Sequence, residues 1–251
     1  MILTHRTSFP SAKMLRDALF QETGVRYLVT KHPERINRLH VRYGASSGVN
    51  CRDTDFNSPD FINLVSHKQR FSNAIKDKFN TPIFVRDREP RDDEFPIVIR
   101  EYMQSFGGKG IVMCPDRQTF NDNWHGSYWT RFVKTTQEFR VHVLGGEVGR
   151  LFKKVTIPVD GFTPPEVEFP IRTIKSGNYR FSLRNDNNRY PSLNEEVRRL
   201  HDTIGGECYA LDVGQLPDDN GWFIYEANSA PGINPNTASV YAKYLVEAGA
   251  V

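Results

Sequence analysis

Cysteine is scarce in this chain, with three among 251 residues, at positions 51, 114 and 208. The count is odd and the spacing wide, which argues against a disulfide framework or a clustered zinc motif and suits a reducing cytoplasm. Long apolar runs are missing as well. Nowhere do about 18 apolar residues follow one another, and the opening Met1-Ile2-Leu3-Thr4-His5-Arg6 has no apolar core of signal-peptide length, so neither membrane insertion nor export is expected. Charge of one sign never accumulates: 33 basic residues are interspersed with 30 acidic ones, for a net charge of +3. Without a basic arm or tail, nucleic acid is not an expected partner, and small phosphates account for the mild basic excess equally well. What remains is a globular composition, 38% hydrophobic and 25% charged, long enough for one large or two small domains.

The chain begins with an amphipathic segment, Ser11 to Phe20, and a strand-like Val25 to Val29, which together read as a small α/β unit. Loop composition from Gly44 to Pro59 suggests a boundary near residue 65. Helical spacing runs from Ser66 to Phe79, and Pro82 forbids continuation past Asn80. Two short apolar runs, Ile97 to Ile99 and Ile111 to Met113, flank a glycine-rich loop, giving strand, loop, strand. Glu138 to Leu144 alternates strictly, and Gly145-Gly146 is a hairpin turn leading into Glu147 to Val155. Ser192-Leu193-Asn194-Glu195 reads as a capping box opening a helix that ends at Gly205-Gly206. Two further strands, Cys208 to Leu216 and Trp222 to Asn228, are joined by Pro217-Asp218-Asp219-Asn220-Gly221.

That last hairpin carries the chemistry. If Pro217 to Gly221 is a five-residue loop closed by Leu216 and Trp222, Asp212 falls opposite Glu226, and alternation places Asn228 on the same face as Glu226. Opposed carboxylates with Cβ atoms roughly 5 Å apart repel unless a cation intervenes, and carboxylate and amide oxygens suit magnesium, with manganese as an alternative. A two-residue turn at Asn220-Gly221 would instead oppose Asp212 to Ser229 and leave ordinary solvated acids.

Gly107-Gly108-Lys109-Gly110 lies between strands and is not a Walker A loop, yet its glycines let backbone amides approach phosphate oxygens, with Lys109 as a point charge. The plain alternative is a flexible hairpin. Arg100 ends the preceding strand, and Arg140, Arg150 and Lys153 lie on the Gly145-Gly146 hairpin, a spread of cations suited to a triphosphate. With a two-residue turn Lys153 pairs with Glu138, and Arg140 and Arg150 face opposite sides. His142 is assigned no role, and Tyr128, Trp129 and Phe132 fit either an adenine wall or a core.

Taken in order, these pieces resemble the ATP-grasp superfamily, and within it the carboxylate-amine ligases of the α-L-glutamate ligase type. Pro96 to Arg100 followed by Gly107 to Gly110 is similar to the family's strand and phosphate-covering loop, with Arg100 where a lysine is usual. Phe139 to Val148 is similar to the strand pair after the adenine-binding hinge, which places that hinge near Trp129 to Lys134 and includes Phe132 and Val133. Asp212 and Glu226-Ala227-Asn228-Ser229-Ala230-Pro231-Gly232 resemble the metal-binding aspartate and the Glu-x-Asn-x-x-Pro-Gly segment. The resemblance implies an α+β, ATP-grasp fold in which two subdomains, 66–134 and 135–251, grip ATP between antiparallel sheets, after a short α/β region at 1–65. It also implies ATP and magnesium as cofactors, with Asp212, Glu226 and Asn228 as metal ligands. Arg100, Gly107, Gly108, Lys109, Gly110, Phe132 and Val133 would bind nucleotide, and Arg140, Arg150 and Lys153 would act at the reacting centre. The implied reaction joins a small-molecule or peptide carboxylate to an amine through an acylphosphate. An ATP-grasp kinase, or a non-catalytic nucleotide- or nucleic-acid-binding protein on the same scaffold, is the alternative.

Overall fold

Apolar residues at every second position, Phe139, Val141 and Val143 in one segment and Tyr209, Leu211 and Val213 in another, give two strands a common face that must be covered. The computed structural model describes residues 2–4, 9–30, 41–45, 56–102, 110–158, 168, 170–172, 179–184 and 189–250; Cys51 and the expected glycine loop at Gly107, Gly108 and Lys109 lie outside them.

Three sheets carry the fold. At the N-terminus, β1 (Ile2–Thr4), β2 (Val29–Thr30) and β3 (Val41–Tyr43) are parallel in the order β2-β1-β3, with α1 (Phe9–Thr23) between β1 and β2 in sequence. Next come α2 (Pro59–Val65) and α3 (Lys68–Ile75), then an antiparallel sheet in which β4 (Ile97–Arg100) lies between β5 (Ile111–Cys114) and β6 (Tyr128–Arg131), with α4 (Arg117–Asn123) joining the last two. The third sheet holds β7 (Gln137–Leu144), β8 (Glu147–Thr156), β9 (Tyr179–Arg184), β10 (Cys208–Gln215) and β11 (Trp222–Asn228), antiparallel throughout in the order β11-β10-β7-β8-β9. Its apolar face is covered by α2, α3 and α5 (Pro191–Ile204), whose Phe61, Phe71, Ile75, Leu193, Val197 and Leu200 complete one core. The C-terminal α6 (Pro235–Glu247) packs on α1, where Ala12, Leu15, Tyr241 and Leu245 are buried in a second core. Among the described residues no helix is long and apolar enough to cross a membrane.

Several expectations need correction. The helix expected from Ser66 to Phe79 ends at Ile75, before Pro82 is reached. The capping box at Ser192 does not form. Proline's fixed φ suits the first helical turn, so α5 starts at Pro191, and the Ser192 hydroxyl instead accepts a hydrogen bond from Trp222 Nε1 at 3.2 Å. The five-residue loop is also corrected, because Gln215, not Leu216, faces Trp222. One extra residue, Tyr225, then bulges from β11 and restores the count, so Asp212 still faces Glu226.

A second bulge lies on the other hairpin. Gly145 and Gly146 have φ of +55° and +82°, as a two-residue turn with positive φ at both central positions requires, and Leu144 faces Glu147. Gly149 is then an extra residue, and beyond it His142 faces Arg150 and Phe139 faces Lys153.

Asn57 ties the N-terminal sheet to the third one. Its backbone has a φ of +60°, which asparagine tolerates better than most residues. Buried to 1% exposure, its side chain donates to the carbonyls of Arg42 (3.2 Å) and Cys208 (2.6 Å) and accepts from the amides of Glu207 (2.9 Å) and Cys208 (3.0 Å). Asn57→Ala strands these buried groups and is expected to lower the unfolding free energy by at least about 2 kcal/mol, read from urea denaturation. A change within about 0.5 kcal/mol, the range of ordinary surface substitutions, would show that the tether contributes nothing.

Candidate functional site

A cleft opens between the second and third sheets where β6 runs into β7. Val98 and Arg100 of β4, Ile111 of β5 and Thr130 of β6 form one wall; Glu138, Arg140, Lys154, Asp212, Tyr225 and Glu226 form the other. The connecting Phe132 and Val133 line its end, and Lys68 reaches in from the start of α3.

Asp212 and Glu226 lie side by side on the wall formed by the third sheet. Arg140 grips Asp212 with two hydrogen bonds, Nε to Oδ1 at 2.8 Å and Nη2 to Oδ2 at 2.7 Å. Lys68 donates its ammonium to Glu226 Oε2, and Asn228 Nδ2 lies 3.4 Å from Glu226 Oε1. Burial alone would raise the Asp212 carboxyl; the charge and forked hydrogen bonds of Arg140 outweigh it and hold the group well below the usual carboxylate range. Among the described residues no three His, Cys, Asp or Glu side chains group to hold a metal. Asp212 and Glu226 each carry a cation as partner, Arg140 and Lys68, and the Asn228 amide lies beside them; carboxylate and amide oxygens are the hard donor type that magnesium takes.

The other end of the cleft is tied by Glu138, which accepts from Lys154 Nζ at 2.7 Å and from Arg172 Nη1 at 3.0 Å. Arg172 also donates to the Thr135 carbonyl at 3.1 Å, and the Thr135 hydroxyl lies 3.0 Å from the Tyr225 hydroxyl. Arg100 stacks its guanidinium 5.8 Å from the Phe84 ring centre and leaves its buried Nε without a hydrogen-bond partner. Burial pulls its pKa down, against the opposing field of Glu226. An unsatisfied buried donor of this kind is costly unless an anion comes to it.

Of the residues anticipated from sequence, Arg100, Phe132, Val133, Arg140, Asp212 and Glu226 line one cleft, with Asn228 hydrogen-bonded beside them. Gly110 is described, at φ +71° and against the Tyr102 ring, while Gly107, Gly108 and Lys109 are not. Lys153 must be corrected: the Gly149 bulge sets it opposite the core residue Phe139, on the face turned away from the cleft. Lys154 takes the cleft position and the partner Glu138. The same bulge brings Arg150 onto the Arg140 face, opposite His142 and outside the cleft lining. Trp129 is 1% exposed and donates to the Arg88 carbonyl at 2.9 Å, so it belongs to the core of the second sheet. Sequence reasoning missed Lys68, Lys154, Glu138 and Arg172. Correct register would have found Lys154 and Glu138; no sequence signal marks Lys68 or Arg172.

No protein-family model matches this chain, and neither does any curated protein. Solved structures do resemble it. The ATP-grasp ligase PsnB, complexed with minimal precursor, superposes with a TM-score of 0.67 at 9% identity, over 98% of this chain and 97% of that one. D-alanine–D-alanine ligase from Bacillus anthracis gives 0.66 at 11% identity, over 98% and 95%. The RimK domain ATP-grasp protein from Sphaerobacter thermophilus gives 0.61 at 12% identity, over 97% and 98%. PsnB also occurs complexed with its precursor, Mg and ADP. These likenesses define the class of fold: the chain is an ATP-grasp fold, and the cleft lies between its two antiparallel sheets.

His142 sets a pH dependence. It is 2% exposed, with Nδ1 2.9 Å from the Tyr241 hydroxyl, and burial followed by the nearby Arg140 charge pushes its pKa from 6.5 down to about 3. The unfolded chain therefore takes up this proton first. Stability is full above about pH 6.5 and falls toward pH 3, by up to about 1.4 kcal/mol per pH unit. In urea titrations between pH 6.5 and 4, His142→Gln is expected to show a shallower loss than the wild type. Identical slopes would contradict a buried neutral imidazole.

Proposed function

We propose that this chain is an ATP-dependent carboxylate-amine ligase. The observation that carries the reading is the opposed pair Asp212 and Glu226, held among cations in a cleft between two antiparallel sheets. Asp212, Glu226 and Asn228 would hold magnesium, which when bound neutralises phosphate charge. Phe132 and Val133 line the end of the cleft suited to the base. Arg100, with its unsatisfied Nε, and Lys68 and Arg140 face the region suited to the phosphates. In this reading the short α/β region spans 1–65 and the gripping subdomains span 66–134 and 135–251.

Two displacements complete the reaction. A substrate carboxylate oxygen bonds to the γ-phosphorus as the bond to the β-γ bridging oxygen breaks, giving an acylphosphate and ADP. An amine nitrogen then bonds to the acyl carbon, loses a proton and expels inorganic phosphate, leaving an amide. Such chemistry asks for positioning and charge neutralisation more than for a covalent catalyst. Lys154, Arg140 and Arg100 lie on both walls to offset developing charge, and the cleft shields the acylphosphate from water. One substrate is a small-molecule or peptide carboxylate and the other an amine. ATP consumption screened across amino acids and peptides tests this reading. A ligase releases phosphate only with both carboxylate and amine present, whereas phosphoryl transfer to a hydroxyl acceptor alone would mark a kinase.

Asp212→Asn and Glu226→Gln are each expected to lower magnesium-dependent ATP turnover by on the order of a hundredfold with far-UV circular dichroism unchanged. Full activity in either variant would sink the metal assignment. Lys154→Ala should cost roughly tenfold or more in turnover, whereas Lys153→Ala should retain it. The opposite ranking would contradict the register set by Gly149.

A further inference from the structure

Each acid at the Asp212–Glu226 corner already has a donor on it. Both Asp212 oxygens accept from the Arg140 fork, Glu226 Oε2 accepts from the Lys68 ammonium, and Asn228 turns its amide nitrogen toward Glu226 Oε1 at 3.4 Å. The two cations hold on differently. Arg140 stands on β7 directly beside Asp212 of β10 and grips it through two bonds, whereas Lys68 makes one contact from the end of a flexible four-carbon stem. Lys68 is also the first residue of α3, whose first turn contains no acidic residue. The N-terminal end of a helix repels a cation, so it is Glu226 that holds the ammonium there. The helix has other anchors. Phe71 and Ile75 are buried in the core, and beyond the far end of α3 the Ile224 amide donates to the Asn80 carbonyl at 2.8 Å and the Thr81 hydroxyl to the Ile224 carbonyl at 2.9 Å.

The charge of the cleft points the same way. Among the described residues that line it are six cations and three carboxylates, Glu138, Asp212 and Glu226. A divalent cation arriving alone therefore approaches a region that is already positive, and finds both acids of the corner compensated. A polyphosphate meets the opposite field. Its oxygens can take the Lys68 ammonium, which opens Glu226 Oε2 to a metal carried by the same polyphosphate. Lysine suits such an exchange, because its three donors and flexible stem let it pass between anions without moving the backbone. Arginine, held as a fork, does not.

We propose that Lys68 is an exchangeable counter-ion that keeps free divalent metal off Glu226 and yields its place to metal delivered with a polyphosphate. The inference rests on the metal assignment proposed above and adds to it the condition under which metal enters. The test is a titration of the full chain with Mn2+ alone, followed by electron paramagnetic resonance of the free ion. Lys68→Met is expected to bind Mn2+ at least roughly tenfold more tightly than the wild type, because a charge in contact with Glu226 is removed. Lys154→Met takes the same charge from the same cleft, but from Glu138, and should gain no more than about threefold. Lys68→Arg, with a fork on Glu226, should bind no better than the wild type. Without metal, Lys68→Met should melt below the wild type, and saturating Mn2+ should raise its melting temperature by the larger amount. Lys68→Gln serves should the methionine variant fail to fold. A non-hydrolysable ATP analogue should tighten Mn2+ binding by a larger factor in the wild type than in Lys68→Met. Equal Mn2+ affinity in the wild type and Lys68→Met, or an equal gain in Lys154→Met, would overturn the exchange and leave the metal assignment standing. No Mn2+ binding in either protein, even with the analogue, would overturn both.

Discussion

Asp212 and Glu226 face each other across β10 and β11, and two carboxylates at that separation repel unless positive charge comes between or beside them. The surroundings of the cleft answer this constraint. Arg140 comes from the adjacent β7 as a fork on Asp212, and Lys68 comes from the start of α3 onto Glu226. Because Lys68 belongs to the helix layer and Glu226 to the sheet, their ion pair also fixes where α3 begins relative to β11. Neither acid can be removed without stranding a cation in a half-buried site, which costs more than the pair itself contributes.

Which residues share the cleft depends on two single-residue bulges. Tyr225 supplies one, bringing Glu226 opposite Asp212 and carrying its own hydroxyl to Thr135. Gly149 supplies the other, turning Lys154 toward Glu138 and sending Lys153 to the far face. Side chains alternate along a strand, so each bulge reverses every position beyond it.

These bulges explain what was legible beforehand. Periodicity identified β7, β8, β10, β11 and the helices near α3 and α5, because alternation and helical spacing are strong signals over seven or more residues. The pairing of Asp212 with Glu226 was reached by a count that erred at the loop, where Gln215 closes the hairpin, and was corrected by the unseen bulge at Tyr225. Nothing marks a bulge in a run such as Ile224-Tyr225-Glu226, whereas Gly149 is at least a residue that bulges favour. Lys68 and Arg172 meet their partners only through tertiary packing, so local pattern could not place them. The proline at position 191 overrode the serine expected to cap α5 because its ring already holds helical φ.

On the proposed reading, the acid pair and its cations would hold a nucleotide together with magnesium. Isothermal titration calorimetry with a non-hydrolysable ATP analogue measures this directly, in magnesium and again in excess chelator. The account predicts stoichiometric binding in magnesium and weakening by an order of magnitude or more without it. Binding of equal strength in both conditions, or none in either, would contradict it.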